Sequence, residues 1–300
     1  MISEKIKTLR KQAKLSQEQL AEKLNVSRQA VTKWETGAGI PDIENFRTIS
    51  MIFGVSLDEL LETSIYKTAS TQEHLYNSIT EYDMDGKKHY DIIFSGAKQI
   101  SMLGYDGEKI KIQLSSDLIG DIQKSMKVKI DDIKKRIDID IKRIEPLSEV
   151  NTKKELYITI WLPEQYTKEV ELSGNIETLF LSKLKVDNFE FSGKVTKVEL
   201  NSVSGHIELN ANNDAEIYCD CLNGTIDINQ ISATSKLFLP EGTNFKSIIR
   251  GINNHIMYNK GGTSCDNFSL QGDDAEECEN VIELNGMKSE LVICATSKEV

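Results

Sequence analysis

Apolar residues recur along this chain with two different periods. Up to about Leu61 they fall three and four apart; from about Tyr90 onward they alternate with polar residues. The first spacing lays a stripe along one side of a helix, and the second lines one face of a strand. A helix is predicted from near Ser3 to about Lys14, with Ile6, Leu9 and Ala13 in its stripe. The next begins after Ser16, where Ser16 and Gln19 make the Ser-x-x-Gln pattern of a capping box. Leu20, Ala21 and Leu24 form its inner face. Asn25-Val26 reads as a tight turn, since Asn tolerates the left-handed conformation that ends a helix. Ser27 caps a third helix. Its Ala30, Val31 and Trp34 point inward, leaving Arg28, Gln29, Thr32 and Lys33 outside.

Gly37 and Gly39 then break the chain, and Pro41-Asp42 opens a fourth helix with Ile43, Phe46, Ile49, Ile52 and Phe53 at its apolar positions. Gly54 stops it. Ser56 and Glu59 repeat the capping-box spacing and start a fifth helix with Leu57, Leu60 and Leu61 inside. Residues 1–62 are thus expected to form an all-α, five-helix domain. Residues 63–74 are polar and read as a linker, and 75–300 as an all-β repeat domain.

Strict alternation marks Tyr90 to Phe94, Ile100 to Leu103, Lys109 to Leu114, Lys127 to Ile130 and Ile137 to Ile141 as strands with one buried face. Leu156 to Pro163 is another. A pattern of strand, Ser-Gly or Asn-Gly, and strand then recurs, with glycines at 174, 193, 205 and 224. A period near 20 with little helix signal points to a β-solenoid, whose rungs bury their apolar faces on one another. Gly261 to Glu279 reads as a loop. Asn280 to Ala295 returns to strand and is expected to close the stack.

Charge is divided along the chain. Met1 to Trp34 holds eight basic residues and three acidic ones, a net of +5, so −16 of the chain's −11 total falls on the rest. A basic head on an acidic body confines phosphate attraction to one end. The N-terminus lacks the apolar core of an export signal, and no apolar run is long enough to span a membrane, which points to a cytoplasmic protein. The cysteines are Cys219, Cys221, Cys265, Cys278 and Cys294. Their odd number does not make a disulfide framework. Cys219 and Cys221 read as two small core residues on one face of a strand. His255, Cys265 and Cys278 are conceivable zinc ligands, but no C-x-x-C pair supports a metal site. No catalytic group and no cofactor site is expected. Glu177, Glu190, Glu199, Glu208 and Asp227 alternate with apolar residues as a solvated strand face does, and His206 is expected to face solvent.

Residues 5–62 resemble the phage-repressor or xenobiotic-response-element type of helix-turn-helix domain. The resemblance is carried by Lys5-Ile6, Leu9-Arg10, the run Leu15 to Ala21, the run Val26 to Val31, Trp34-Glu35-x-Gly37, Pro41-Asp42 and the run Phe53 to Leu61. It implies sequence-specific binding of double-stranded operator DNA, usually by a homodimer or higher oligomer, to regulate transcription. Gln17 matches the family position that touches phosphate. Arg28 and Gln29 sit in the first turn of the recognition helix, where base edges are nearest. Arg matches guanine O6 and N7, and Gln matches adenine N6 and N7. Thr32 is placed to meet a thymine methyl or a phosphate, with Lys33, Thr36 and the cap Ser27 at the backbone. Trp34 is expected in the core and Glu35 in a salt bridge or cap.

Residues 75–295 resemble the adhesin-like "toastrack" β-solenoid domain of bacteria, through the strand ended by Pro163 and the Ser-Gly rungs after it. That implies a domain for sensing a protein or small-molecule effector, or for oligomerisation. The expectation is a transcriptional regulator that is not an enzyme, with repression as its direction. A protein-interaction or antitoxin-like module, whose helix-turn-helix contacts protein, is the alternative.

Overall fold

The structure is a computed structural model. It describes residues 6–7, 9–11, 13, 15–36, 39–53, 74–260, 263–266 and 279–296. The chain divides into two compact units, Met1–Gln72 and Glu73–Val300.

In the first unit, residues 6–7 and 9–11 are helical. Three further helices follow: α1 (Gln17–Leu24), α2 (Arg28–Thr36) and α3 (Ile43–Phe53). Their amphipathic stripes meet in one core of Ile6, Leu20, Ala21, Leu24, Val31, Trp34, Phe46 and Ile49. The expected fifth helix, Ser56 to Leu61, and residues 63–73 of the expected linker lie outside the described residues. Helix is not confined to this unit. The second unit holds α4 (Ile122–Ser125), α5 (Glu149–Glu155) and a 3-10 turn at Glu164–Tyr166, so its all-β description needs that amendment.

The second unit is a parallel β-solenoid. Each rung places one strand in each of two sheets, and like positions pair in register with the next rung. Leu172 pairs with Phe191, Phe191 with Leu209 and Leu209 with Ile228. On the other sheet Leu179 pairs with Val198, and Val198 with Ile217. All of these are buried. The two inward faces meet in one continuous core, which is why strict alternation was a sufficient signal for strands.

Rung order departs from chain order at both ends. Arg136–Arg143 and Tyr157–Pro163 stack outside Lys88–Phe94 and Ala97–Tyr105, which in turn pair with Thr167–Ser182. At the other end Val281–Met287 and Glu290–Thr296 lie between Gly224–Ile231 with Thr234–Pro240 and the outer rung of Lys246–Ile249 with His255–Lys260. The segment from Asn280 therefore does not close the stack. It slots in one rung from the end, because its full-length strands pair on both sides, whereas Lys246–Ile249 has only four residues to pair.

Corners are set by backbone conformation. Gly193 has φ +152° and pairs with Gly174 on the neighbouring rung, and a Cβ there would lie 1.7 Å from the Gly174 carbonyl oxygen. Residues that are not glycine also take left-handed conformations, at both corners of the stack. Lys183, Ser202, Ser232 and Lys288 have φ between +49° and +56°, and each precedes a buried residue: Leu184, Val203, Ala233 and Ser289. Outside the first rungs, α5 packs against Ala97–Tyr105, and Ser101, Thr152 and Phe180 are buried there. No periodicity in the strands announces that helix.

The register also aligns charge. Asp138, Asp91, Glu171, Glu190, Glu208, Asp227 and Glu283 occupy one outward row across seven rungs. Like charges at the ~4.8 Å strand spacing repel. Partners offset this: Arg136 at Asp138 (2.6 Å), His89 at Glu171 (3.4 Å), His206 at Asp227 (2.9 Å) and Arg250 at Glu283 (2.8 Å). Asn210 donates to Glu190 at 2.8 Å, and Asn229 to Glu208 at 2.7 Å. Glu199 belongs to the other sheet.

Cys219 fills the inward slot that Leu200 fills on the previous rung, and burial pushes its thiol up to about 12. Cys221 lies beyond the end of that strand and is exposed, so the two thiols do not share a strand face. A strand of four residues ending at Cys219 leaves position 221 in the corner. Cys278 and the Cys265 side chain lie outside the described residues.

Replacing Gly193 with alanine is expected to destabilise the solenoid by about 2 kcal/mol or more, through strained backbone and the collision with the neighbouring rung. Urea unfolding of the full chain reads this as a lowered midpoint; an unchanged midpoint contradicts the corner geometry.

Candidate nucleic-acid interface

The turn between α1 and α2 is built as the local sequence requires. Ser16 Oγ accepts from the Gln19 amide at 3.1 Å, while Gln19 Oε1 accepts from the Ser16 amide at 2.7 Å. Asn25 adopts the left-handed conformation at φ 52°, and the Val26 amide returns to the Ala21 carbonyl at 3.0 Å. Ser27 Oγ accepts from the Ala30 amide at 3.2 Å, capping α2. Ala21 is 3% exposed in the core the two helices share.

Behind the surface of α2 lies a polar network anchored on Glu35, whose side chain is only 2% exposed. Arg10 grips it with two hydrogen bonds, Nε to Oε1 at 2.5 Å and Nη2 to Oε2 at 2.9 Å. Arg10 Nη1 also donates to the Leu15 carbonyl at 2.7 Å. One guanidinium thus ties the first helical residues to the end of α2 and to the entry of α1. Burial alone lifts the Glu35 carboxyl, but hydrogen bonds from Arg10 and Gln17, with the charges of Arg10 and Lys7, outweigh it and hold the pKa below the ordinary value. The sequence pattern gave Glu35 a structural part but no partner; Arg10, 25 residues away, was marked by the family resemblance but not as that partner.

Gln17 Nε2 donates to Glu35 Oε2 at 2.8 Å, and its Oε1 accepts from Thr32 Oγ1 at 3.2 Å. Its amide is therefore pre-oriented at the start of α1, and one N–H of Nε2 has no acceptor among the described residues. A helix N-terminus favours an anion there. The Thr32 hydroxyl lies 3.0 Å from the Arg28 carbonyl as well, and Thr36 Oγ1 donates to the Thr32 carbonyl at 2.8 Å. Thr32 and Gln17 are half-buried; Ser27, Arg28, Gln29, Lys33 and Thr36 are exposed. Trp34 is 7% exposed and belongs to the core.

Arg28 Nη1 sits 3.1 Å from Glu18 Oε1, and both side chains are about two-thirds exposed. Such a pair is worth roughly 0–1 kcal/mol. It parks the guanidinium at little cost to its release. Gln29 and Lys33 have no polar side-chain partner among the described residues. The structure thus gathers Gln17, Arg28 and Thr32 into one patch spanning α1 and α2, sets Gln29 and Lys33 on the exposed side of α2, and leaves Ser27 and Thr36 bonded to backbone at its ends.

Residues 6–60 match the model of the helix-turn-helix family. These residues form a helix-turn-helix domain. The chain is 42% identical over 92 residues to the HTH-type transcriptional activator BcrR of Enterococcus faecalis, covering 31% of this chain and 41% of that protein. It is 47% identical over 62 residues to the uncharacterized HTH-type transcriptional regulator YqaE of Bacillus subtilis (strain 168), covering 21% of this chain and 53% of that one. The chain therefore spans about half or less of these relatives' lengths. Among solved structures, a proposed cell-adhesion protein from Clostridium sporogenes aligns over 74% of this chain and all of its own, at 11% identity and TM-score 0.36. A proposed lipid-binding protein from Parabacteroides distasonis aligns over 74% of this chain and 95% of its own, at 11% identity and TM-score 0.31.

Two outcomes test the network under the helix-turn-helix surface. Arg10→Ala leaves a buried carboxylate unpaired and is expected to cost about 3 kcal/mol, measured by urea unfolding of the helical signal. Because the Glu35 pKa is lowered in the folded state, its contribution is complete above the unfolded value of about 4.3. It is lost as pH falls through the lower folded value. Wild type should therefore lose more stability below about pH 4 than Glu35→Gln does; parallel acid curves contradict the assignment.

Proposed function

We propose that this chain is a sequence-specific DNA-binding regulator of transcription whose α2 enters the major groove. The observation that carries the reading is the exposed Arg28–Gln29 pair at the start of α2, beside a Gln17 amide already oriented at the start of α1. Arg28 and Gln29 read base edges. Gln17, Thr32, Lys33, Thr36 and the Ser27 cap hold phosphate and fix the register. The +5 charge from Met1 to Trp34 supplies the non-specific attraction that brings the head to DNA.

A head with one short reading helix recognises few base pairs, so the working form is a dimer on two half-sites about one helical turn apart. The β unit serves oligomerisation or effector sensing, and the chain acts where its DNA is, in the cytoplasm. It is a regulator rather than an enzyme. Repression is the direction we carry, by occupancy of a promoter. The Enterococcus relative is named an activator, and a promoter fusion with and without this chain decides between the two. Among the described residues no helix is long and apolar enough to cross a membrane.

Arg28→Ala and Gln29→Ala are each expected to weaken operator binding by about 1–3 kcal/mol, roughly five- to 150-fold, with folding unchanged. An anisotropy titration at fixed salt measures this. If both variants bind as wild type does, the recognition assignment is wrong. Binding of wild type to random duplex should fall steeply with salt; a flat response favours a helix-turn-helix that contacts protein.

A further inference from the structure

One end of the solenoid finishes in antiparallel strands. Lys109–Ser116 pairs with Tyr157–Pro163, and Tyr76–Asp83 pairs with Lys109–Ser116. On the other sheet Met126–Ile133 pairs with Arg136–Arg143. Among the described residues, Tyr76–Asp83 and Met126–Ile133 each pair along one edge only. An unpaired edge is a template for another strand unless it is short or charged.

Both carry charge, but Tyr76–Asp83 has only Glu81 and Asp83, toward one end, where Lys109 and Lys111 pair them. Met126–Ile133 carries Lys127, Lys129, Asp131 and Asp132. Tyr76–Asp83 has Ile79 at its centre, 61% exposed, with Leu75 at 78% just before it and Leu118 at 73% close by. The Leu75 amide donates to Asp117 Oδ1 at 3.1 Å, and His74 holds Asp117 Oδ2 at 3.0 Å while its ring lies 4.2 Å from that of Tyr157. The start of the strand is therefore pinned to the solenoid.

Backbone direction can be read along it. The Met84 amide donates to the Glu108 carbonyl at 3.0 Å, one step beyond the pair of Asp83 with Lys109. Antiparallel ladders alternate. Tyr82, Thr80 and Ser78 thus bond inward to Lys109–Ser116, and the N–H and C=O groups of Glu81, Ile79 and Asn77 point to the free edge. The same three side chains are exposed.

We propose that Tyr76–Asp83 joins two copies of this chain, edge to edge and antiparallel, about a two-fold axis at Ile79. In that register Ile79 meets the partner's Ile79, and Asn77 faces the partner's Glu81, a donor against an acceptor. Every outward N–H and C=O of the central residues finds its counterpart. Sliding the register by two residues sets Ile79 against the partner's Glu81; a further two sets Glu81 against its own copy, and like charges opposite one another are unfavourable. Self-pairing requires no other partner chemistry. It rests on the DNA-binding reading only for its use, since a pair of copies carries the two heads that a two-half-site operator needs.

Sedimentation velocity on the full chain tests it, with Ile79→Pro and Ile79→Lys beside wild type. Proline at position 79 removes an outward N–H and no bond to Lys109–Ser116, a placement that edge strands tolerate. Lysine there sets like charges across the axis. Wild type is expected to sediment as a dimer, and both variants to dimerise at least about tenfold more weakly with unchanged far-UV circular dichroism. A monomeric wild type overturns the proposal, as do well-folded variants that dimerise as tightly as wild type. The DNA reading fails separately: Arg28→Ala then binds operator like wild type, whatever the sedimentation result.

Discussion

A carboxylate buried under the exposed side of α2 needs a partner, and the helical unit is arranged around that need. Glu35 lies at the end of α2 with almost no exposure, and Arg10 meets both of its oxygens. The pair joins the helical residues before α1 to the end of α2, and a further donor on Arg10 reaches the Leu15 carbonyl. Gln17 shares the same carboxylate and also accepts from Thr32. The consequence reaches the surface: the side chain that begins α1 and the middle of α2 are held in one relation before any ligand arrives. Preorganisation of this kind lowers the ordering cost of binding. Arg28, in contrast, rests on an exposed Glu18 and exchanges it cheaply.

In the β unit the corresponding constraint is register. Once each rung aligns with the next, buried positions stack into one core and outward positions stack into rows. The row of seven carboxylates is a by-product of that alignment, and its histidine, arginine and asparagine partners are what make it tolerable. The charge of the chain is divided along it, +5 over Met1 to Trp34 and −16 over the rest, which concentrates phosphate attraction on the first helices.

The helices around the turn were legible because each rests on local chemistry: the Ser16–Gln19 box, Asn25 in the left-handed region, Ser27 as a cap, and a three-four stripe ending in Trp34. The strands were legible because a face buried on a neighbouring rung leaves a period of two. What escaped depends on contacts distant in sequence. Nothing near Arg10 or Glu35 says that they meet. The insertion of Val281–Met287 and Glu290–Thr296 inside the last rung, and the covering of Phe180 beside α5, are likewise decided by which surfaces remain to be buried. Cys219 was recognisable as a core residue, but Cys221 was not separable from it without knowing where the strand ends.

The claim on which the account stands is that the exposed side of α2 reads base edges. Selection of bound sequences from a random duplex pool, run in parallel with the full chain and its Arg28→Ala variant at one salt concentration, tests it most directly. The account predicts that wild type enriches two related half-sites about one helical turn apart, and that a guanine preference in each disappears in the variant. Enrichment of the same motif by both proteins, or of none by wild type, contradicts it.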